Sequence, residues 1–284
     1  MVIAGLTPSR IPLSSFFCWC VELLLRWRLR VSHADRPPRT NAQRHEDCGR
    51  CGGRKNEDLM ARSVQCCGDN RPFCGGSVYN SEWVVTSAYC IYGSSAYELE
   101  ILYNMWDWTD SSVTQVVTRS VAEIIMHPQS DYLKVDNDIA LIRVSSAVDL
   151  TLPGIMPVCL PSSTDNYADQ IGIVTGWGTL TYYGSLTNKS KEVKVPIRSQ
   201  AECASSLSAN YNTSIMICAG LGNDNACQVD WGGPLTVDVN GQHHLAGIVT
   251  QDIGCAPSRP YGVFTNVPYY VAFIENNANT GTFC

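Results

Sequence analysis

Fourteen cysteines in 284 residues constrain this chain more than any other feature. Such a density means either bound metal or disulfides made in an oxidising compartment. Structural zinc needs close Cys and His pairs, typically two C-x-x-C units. One such unit exists, Cys48 and Cys51, with no second pair to match it. The neighbours Cys66 and Cys67 do not fit a zinc knuckle. His243 and His244 are also neighbours and would point to opposite faces of a strand. The sequence therefore predicts disulfides, no metal site, no cofactor and an extracellular location. Two N-x-[ST] triplets, Asn188-Lys189-Ser190 and Asn212-Thr213-Ser214, agree with secretion and are candidate glycosylation acceptors.

Charge is distributed unevenly. Residues 1–55 hold 10 of the 20 Lys and Arg and 4 of the 26 Asp and Glu, a balance of +6, which leaves the rest of the chain at −12. An acidic body excludes nucleic acid as a partner, because phosphate neutralisation needs a basic surface. Charged residues make up only 16%, which argues against a coiled coil or an exposed helical rod. The apolar stretch Ile11 to Leu25 is broken by Pro12 and Glu22 and is too short to span a membrane. It fits the apolar region of a secretory signal. Its sequel is atypical, since Arg26, Arg28 and Arg30 follow where a small-residue cleavage site belongs. Val31 to Arg44 has no periodicity and reads as linker.

The texture changes near residue 56. Short runs rich in β-branched and aromatic residues recur, separated by Gly, Asn, Asp, Ser and Pro. Ser81–Ser87, Tyr97–Tyr103, Val113–Ile125, Ile139–Val144, Ile171–Thr175 and Glu192–Ile197 are examples. Asn240-Gly241 between Leu235–Val239 and His244–Thr250 predicts a tight hairpin. Only Pro268 to Glu275 reads as helix. This pattern predicts an antiparallel β sandwich or barrel.

A series of motifs makes the reading more specific. Phe73-Cys74-Gly75-Gly76-Ser77 precedes Trp83-Val84-Val85-Thr86-Ser87-Ala88-Tyr89-Cys90. Asp138-Ile139-Ala140-Leu141-Ile142, Pro157-Val158-Cys159-Leu160-Pro161 and Thr175-Gly176-Trp177-Gly178 follow. Met216-Ile217-Cys218-Ala219-Gly220, Cys227 to Leu235, Gly247-Ile248-Val249 and Gly262-Val263-Phe264-Thr265-Asn266-Val267 complete the order. From about Asn56 to about Asn276 the chain resembles the chymotrypsin/trypsin-type serine proteases. The resemblance implies an all-β fold of two antiparallel barrels with a short C-terminal helix. The first barrel would span about 56–158 and the second about 159–284, after a leader or pro-region at 1–55. It also implies disulfides Cys74–Cys90, Cys203–Cys218 and Cys227–Cys255. Cys159 would pair with Cys48 or Cys51 in the pro-region. Cys18, Cys20, Cys66, Cys67, Cys284 and the remaining one of Cys48 and Cys51 have no partner in the family pattern.

The resemblance places catalysis at three positions, and two have changed. Peptide hydrolysis of this type needs a Ser nucleophile, a His base and an Asp that orients the His. The His position holds Tyr89, the Ser position holds Trp231, and only Asp138 is kept. A phenol with a pKa near 10 is neither a ready base nor a good acid at neutral pH. An indole has no nucleophilic atom. Without the triad, binding and an oxyanion hole leave only about 10³–10⁴-fold over water. The oxyanion-hole glycine is replaced by Val229, which is poorly suited to a positive φ. Losing that hole removes a contribution of about 2.7–4 kcal/mol.

The implied substrate cleft is altered too. Asn225 stands at the base of the specificity pocket, and Thr250, Gln251 and Asp252 stand where Ser-Trp-Gly would pair with substrate. These changes read as drift after catalysis was lost. The nearest activation site is Arg50-Cys51-Gly52-Gly53, so Asp230 has no evident N-terminal amine to pair with. Two local arrangements are expected. The Tyr89 phenol donates to Asp138, and the Trp231 indole fills the cleft mouth.

The sequence reading is a secreted, non-catalytic serine protease homologue that binds proteins. Its candidate partners are proteases, their substrates or their inhibitors. Its candidate roles are cofactor, adaptor or decoy in an extracellular proteolytic or immune cascade. The competing readings are an active serine endopeptidase and a decayed gene product.

Overall fold

Alternation and turn chemistry place most of the strands, and the computed structural model shows where they pair. It describes residues 5–7, 72–110, 112, 115–178, 187–207, 211–220, 231–250, 261–281 and 283–284. In chain order the strands and helices begin with β1 (Gly5–Thr7), β2 (Ser77–Val78), β3 (Trp83–Thr86), α1 (Ala88–Ile91) and β4 (Glu100–Tyr103). Next come β5 (Val117–Met126), β6 (Ala140–Val144), β7 (Ile171–Gly176), β8 (Lys191–Pro196) and α2 (Gln200–Ser206). The series ends with β9 (Met216–Ala219), β10 (Pro234–Val239), β11 (Gln242–Val249), β12 (Gly262–Asn266) and α3 (Val267–Asn277).

The strands form two curled antiparallel sheets, one from each half of the body. The first has the order β1-β4-β5-β6-β3-β2 and the second β8-β7-β10-β11-β12-β9. The all-β architecture with a short C-terminal helix is the one the motifs imply. The β10–β11 turn is the predicted hairpin. Asn240 and Gly241 have φ of 56° and 86°, and Val239 pairs with Gln242 across two residues. Both turn residues need a positive φ, which Asn and Gly tolerate best.

Two features depart from the sequence reading. The C-terminal helix has company in α1 and α2, which are capped by Ser87 and Ser199. Both helices are shorter than the window in which a helical period can be read. β1 comes from the span read as leader: Gly5–Thr7 pairs with Glu100–Leu102 and extends the first sheet by one strand.

The core follows the sheet pattern. β3 is buried throughout, and β6 is buried at every residue except Arg143. One cluster joins Val84, Leu141 and Ile142 of the first sheet to Leu245, Ile248 and Val263 of the second, and to Tyr270 and Ile274 of α3. A smaller cluster of Val174, Val195, Ile217, Leu235, Val237 and Phe264 fills the second sheet. The sheets therefore share a core, and α3 seals it.

Disulfides tie the ends of these elements. Cys74–Cys90 and Cys203–Cys218 form as the resemblance implies. Cys227 and Cys255 lie outside the described residues, as do Cys18, Cys20, Cys48, Cys51, Cys66 and Cys67. The expectation for Cys159 is corrected: its partner is Cys284, with Cα atoms 5.1 Å apart, and not a pro-region cysteine. The reason lies in the segment after α3. Asn80 Nδ2 donates to the Thr280 carbonyl at 2.7 Å, and Trp83 Nε1 donates to Thr280 Oγ1 at 2.9 Å. The Phe283 ring packs on Tyr79. The Val158 amide meanwhile bonds the Val78 carbonyl, which brings Cys159 to the same corner. The chain end is thereby carried to the link between the sheets.

Candidate functional site

Ser87 closes β3 and opens α1, and one hydroxyl does both jobs. As N-cap it accepts from the Tyr89 amide at 3.1 Å. It also lies 2.7 Å from both carboxylate oxygens of Asp138, to which it donates. The Tyr89 amide shares its proton with Asp138 Oδ1 at 2.8 Å. Asp138 is 4% exposed. Burial pushes its carboxyl up to about 6; the Ser87 hydroxyl and the amides of Tyr89 and Ala88 pull the other way.

This geometry corrects the expected bond from the Tyr89 phenol to Asp138. The carboxylate takes the Tyr89 backbone amide and the Ser87 hydroxyl instead. The one-turn α1 points its N-terminal amides at the carboxylate, so the side chain of Tyr89 is not needed there. The Asp138 backbone is also fixed from the other sheet. Thr265 Oγ1 of β12 donates to the Asp138 carbonyl at 2.8 Å, and the Tyr270 hydroxyl of α3 donates to Asn137 Oδ1 at 2.9 Å.

The Tyr89 ring turns away from the carboxylate toward other aromatics. The Trp231 indole meets it edge-on, with centroids 5.3 Å apart. Tyr132 lies on Tyr89 at 6.2 Å and on Tyr92 at 4.6 Å, both nearly parallel. Trp231 is 38% exposed, Tyr132 43% and Tyr92 60%. The result is a continuous aromatic surface contributed by both halves of the body. Trp231 is held from behind by its carbonyl, which accepts the Gly75 amide at 2.7 Å. Gly75 follows Cys74, which is bridged to Cys90 of α1. Gly232 next to Trp231 has φ +78°. A Cβ there would stand 2.3 Å from Thr86 Oγ1 and 2.5 Å from the Gly75 carbonyl. Only glycine allows the chain to pass so close.

The remaining predicted site residues separate into two groups. Thr250 is buried at the end of β11, with its hydroxyl 3.2 Å from the Val263 carbonyl. Asn225, Val229, Asp230, Gln251 and Asp252 lie outside the described residues. Asn188 is half-buried and Asn212 is exposed. Sequence reasoning missed Ser87, Tyr92 and Tyr132. A Ser directly before a short helical turn is an N-cap signal, so Ser87 could have been found. The two tyrosines carry no such mark.

Among the described residues, no imidazole stands beside Asp138. His127 packs edge-on against Tyr270 and Phe273, and burial lowers its pKa. His243 and His244 belong to β11, where His244 Nδ1 lies 3.4 Å from the Tyr167 hydroxyl. No group of His, Cys, Asp and Glu among the described residues has the geometry to hold a metal ion. No described helix is long and apolar enough to cross a membrane.

Comparison with known proteins agrees with the motifs. The family model described as Trypsin matches residues 54–274. Trypsin-1 of Astacus astacus is 37% identical over 212 residues, covering 72% of this chain and 88% of that protein. Trypsin Blo t 3 of Blomia tropicalis is 37% identical over 214 residues, covering 72% of this chain and 76% of that protein. Serine proteinase stubble of Drosophila melanogaster is 31% identical over 209 residues, which span only 26% of its length.

Proposed function

The chain belongs to the trypsin family, and we propose that within it this protein is a non-catalytic homologue, secreted and acting by binding protein. One observation carries the reading. At the positions that the motifs imply for base and nucleophile, Tyr89 and Trp231 pack ring against ring, while Ser87 and the Tyr89 amide occupy Asp138. A phenol is a poor base at neutral pH, an indole has no nucleophilic atom, and the Ser87 hydroxyl is engaged by the Tyr89 amide and by Asp138.

The same rings supply something to bind with. Trp231, Tyr89, Tyr132 and Tyr92 form a contiguous, half-exposed aromatic patch. Patches of this kind mark interaction surfaces, and Trp and Tyr are enriched at binding hot spots. The candidate partners are a trypsin-like protease, its protein substrate or its protein inhibitor, in the role of cofactor, adaptor or decoy. An extracellular, immune-type cascade is the setting we favour. Intact disulfides at Cys74–Cys90 and Cys203–Cys218 support an oxidising compartment. Residues 1–55 serve as leader or pro-region in this scheme, with barrels at about 56–158 and 159–284. Gly5–Thr7 falls inside that leader and pairs with β4.

The test is binding and cleavage measured together. The full chain, immobilised, is exposed in turn to a trypsin-like protease, to a denatured protein substrate and to a Kunitz-type inhibitor. The reading expects saturable binding of at least one, weakened by Trp231→Ala, with every polypeptide recovered intact. Cleavage of the substrate, or binding to none of the three, would overturn it.

A further inference from the structure

The two N-x-[ST] triplets look equivalent as sequence, and the fold separates them. Asn188-Lys189-Ser190 lies against residues 106–108. Trp108 donates its amide to the Asn188 carbonyl at 3.1 Å, and Ser190 donates to the Trp106 carbonyl at 2.8 Å. Lys189 bridges Asp107 and places its ammonium over the Trp106 ring, 4.7 Å from the centroid. Ser190 is 4% exposed and Asn188 is half-buried. An oligosaccharide on Asn188 would have to displace this packing.

Asn212-Thr213-Ser214 is the opposite case. All three residues are exposed, in the turn between α2 and β9. The Asn212 side chain uses its oxygen, which accepts from the Ser214 amide at 3.1 Å. Its backbone carbonyl accepts from the Met216 amide at 2.9 Å. Nothing among the described residues takes its Nδ2. Substitution on that nitrogen leaves both bonds in place and projects the new group into solvent.

We infer that Asn212 carries an N-linked oligosaccharide and Asn188 does not. The inference rests on the secretory reading above, because the donor is a lipid diphosphate-linked oligosaccharide met only in that pathway. The Asn212 amide nitrogen bonds to the anomeric carbon of the sugar. The carbon–oxygen bond to the lipid diphosphate breaks, and the amide loses one proton as that diphosphate leaves. The product places a glycan in the exposed turn that leads into β9.

The experiment expresses the full chain in a eukaryotic secretory cell and follows its mass in medium and lysate before and after N-glycan release. Wild type in the medium should lose the mass of one glycan. Asn212→Gln and Ser214→Ala should show no such loss, Ser214→Thr should keep it, and Asn188→Gln should be unchanged. A secreted chain without a glycan, or one that loses it only with Asn188→Gln, overturns the inference while leaving secretion intact. A chain that stays in the cytosol overturns both.

Discussion

The Trp231 indole stands perpendicular to the Tyr89 ring, with planes 88° apart and centroids at 5.3 Å. One ring rides on α1, packed with the first sheet, and the other precedes β10 of the second. Edge-to-face pairs of this kind contribute roughly 0.5–1.5 kcal/mol beyond the area they bury. A double-mutant cycle with Tyr89→Ala and Trp231→Ala should return a coupling in that range. Additive effects in urea denaturation would mean that the rings do not support each other.

Asp138 should make stability fall as pH rises. Its carboxyl titrates at about 6 in the folded chain, above the ordinary 3.8. The folded state therefore holds the proton more tightly, and unfolding becomes easier as pH rises from about 4 to about 6. Below that window the effect is absent, and above it the full penalty of burying the charge remains. Two units correspond to ~3 kcal/mol. Asp138→Asn should flatten this part of the profile, gaining stability relative to wild type at pH 7 compared with pH 4. Parallel profiles for the two proteins would contradict it.

Ser87 should matter more when Asp138 is charged. Its hydroxyl caps α1 and donates to the carboxylate. Ser87→Ala removes a cap and a charge-assisted bond, together worth about 1–3 kcal/mol. The loss measured by denaturation should be greater at pH 7 than at pH 4. An equal loss at both would leave the cap as its whole contribution.

Gly232→Ala should be among the costliest single changes in the body. The added carbon meets a backbone oxygen and the Thr86 hydroxyl, at a φ of +78°. A non-glycine residue at such a φ costs about 1–3 kcal/mol before the clash is counted. Thermal unfolding measures it, and a variant within 1 °C of wild type would rule out the close approach.

Cys284 should be found joined to Cys159. Non-reducing peptide mapping should recover one disulfide-linked pair containing the two. Cys284→Ser should cost about 2–4 kcal/mol, since it opens a long loop. Recovery of Cys159 joined to Cys48 or Cys51 would restore the pattern implied by resemblance.

Much of the scaffold was legible in the sequence because its signals are local. Asn240-Gly241 fixes a hairpin by turn chemistry alone, and the β-branched run Ile139–Val144 reads as a strand and forms one at Ala140–Val144. Ordered motifs assign positions to Asp138, Tyr89 and Trp231, and the structure sets Tyr89 beside both of the others. What escaped depends on contacts across long separations. The phenol of Tyr89 is the right chemical type to meet Asp138, and only the turn made by α1 gives that place to Ser87 and a backbone amide. Cys284 finds Cys159 because Thr280 is caught by Asn80 and Trp83, about 200 residues earlier in the chain. β1 has no pattern of its own in three residues, and its pairing is set by the edge that β4 offers. Tyr92 and Tyr132 look like ordinary surface tyrosines until Tyr89 is placed between them and Trp231.

Peptide turnover decides between a binding protein and a protease. The full chain is incubated with a panel of fluorogenic peptides covering basic, aromatic and small residues before the scissile bond, beside its Asp138→Ala variant. Wild type and variant should be indistinguishable from buffer on every peptide. Hydrolysis by the wild type that disappears in Asp138→Ala would contradict it.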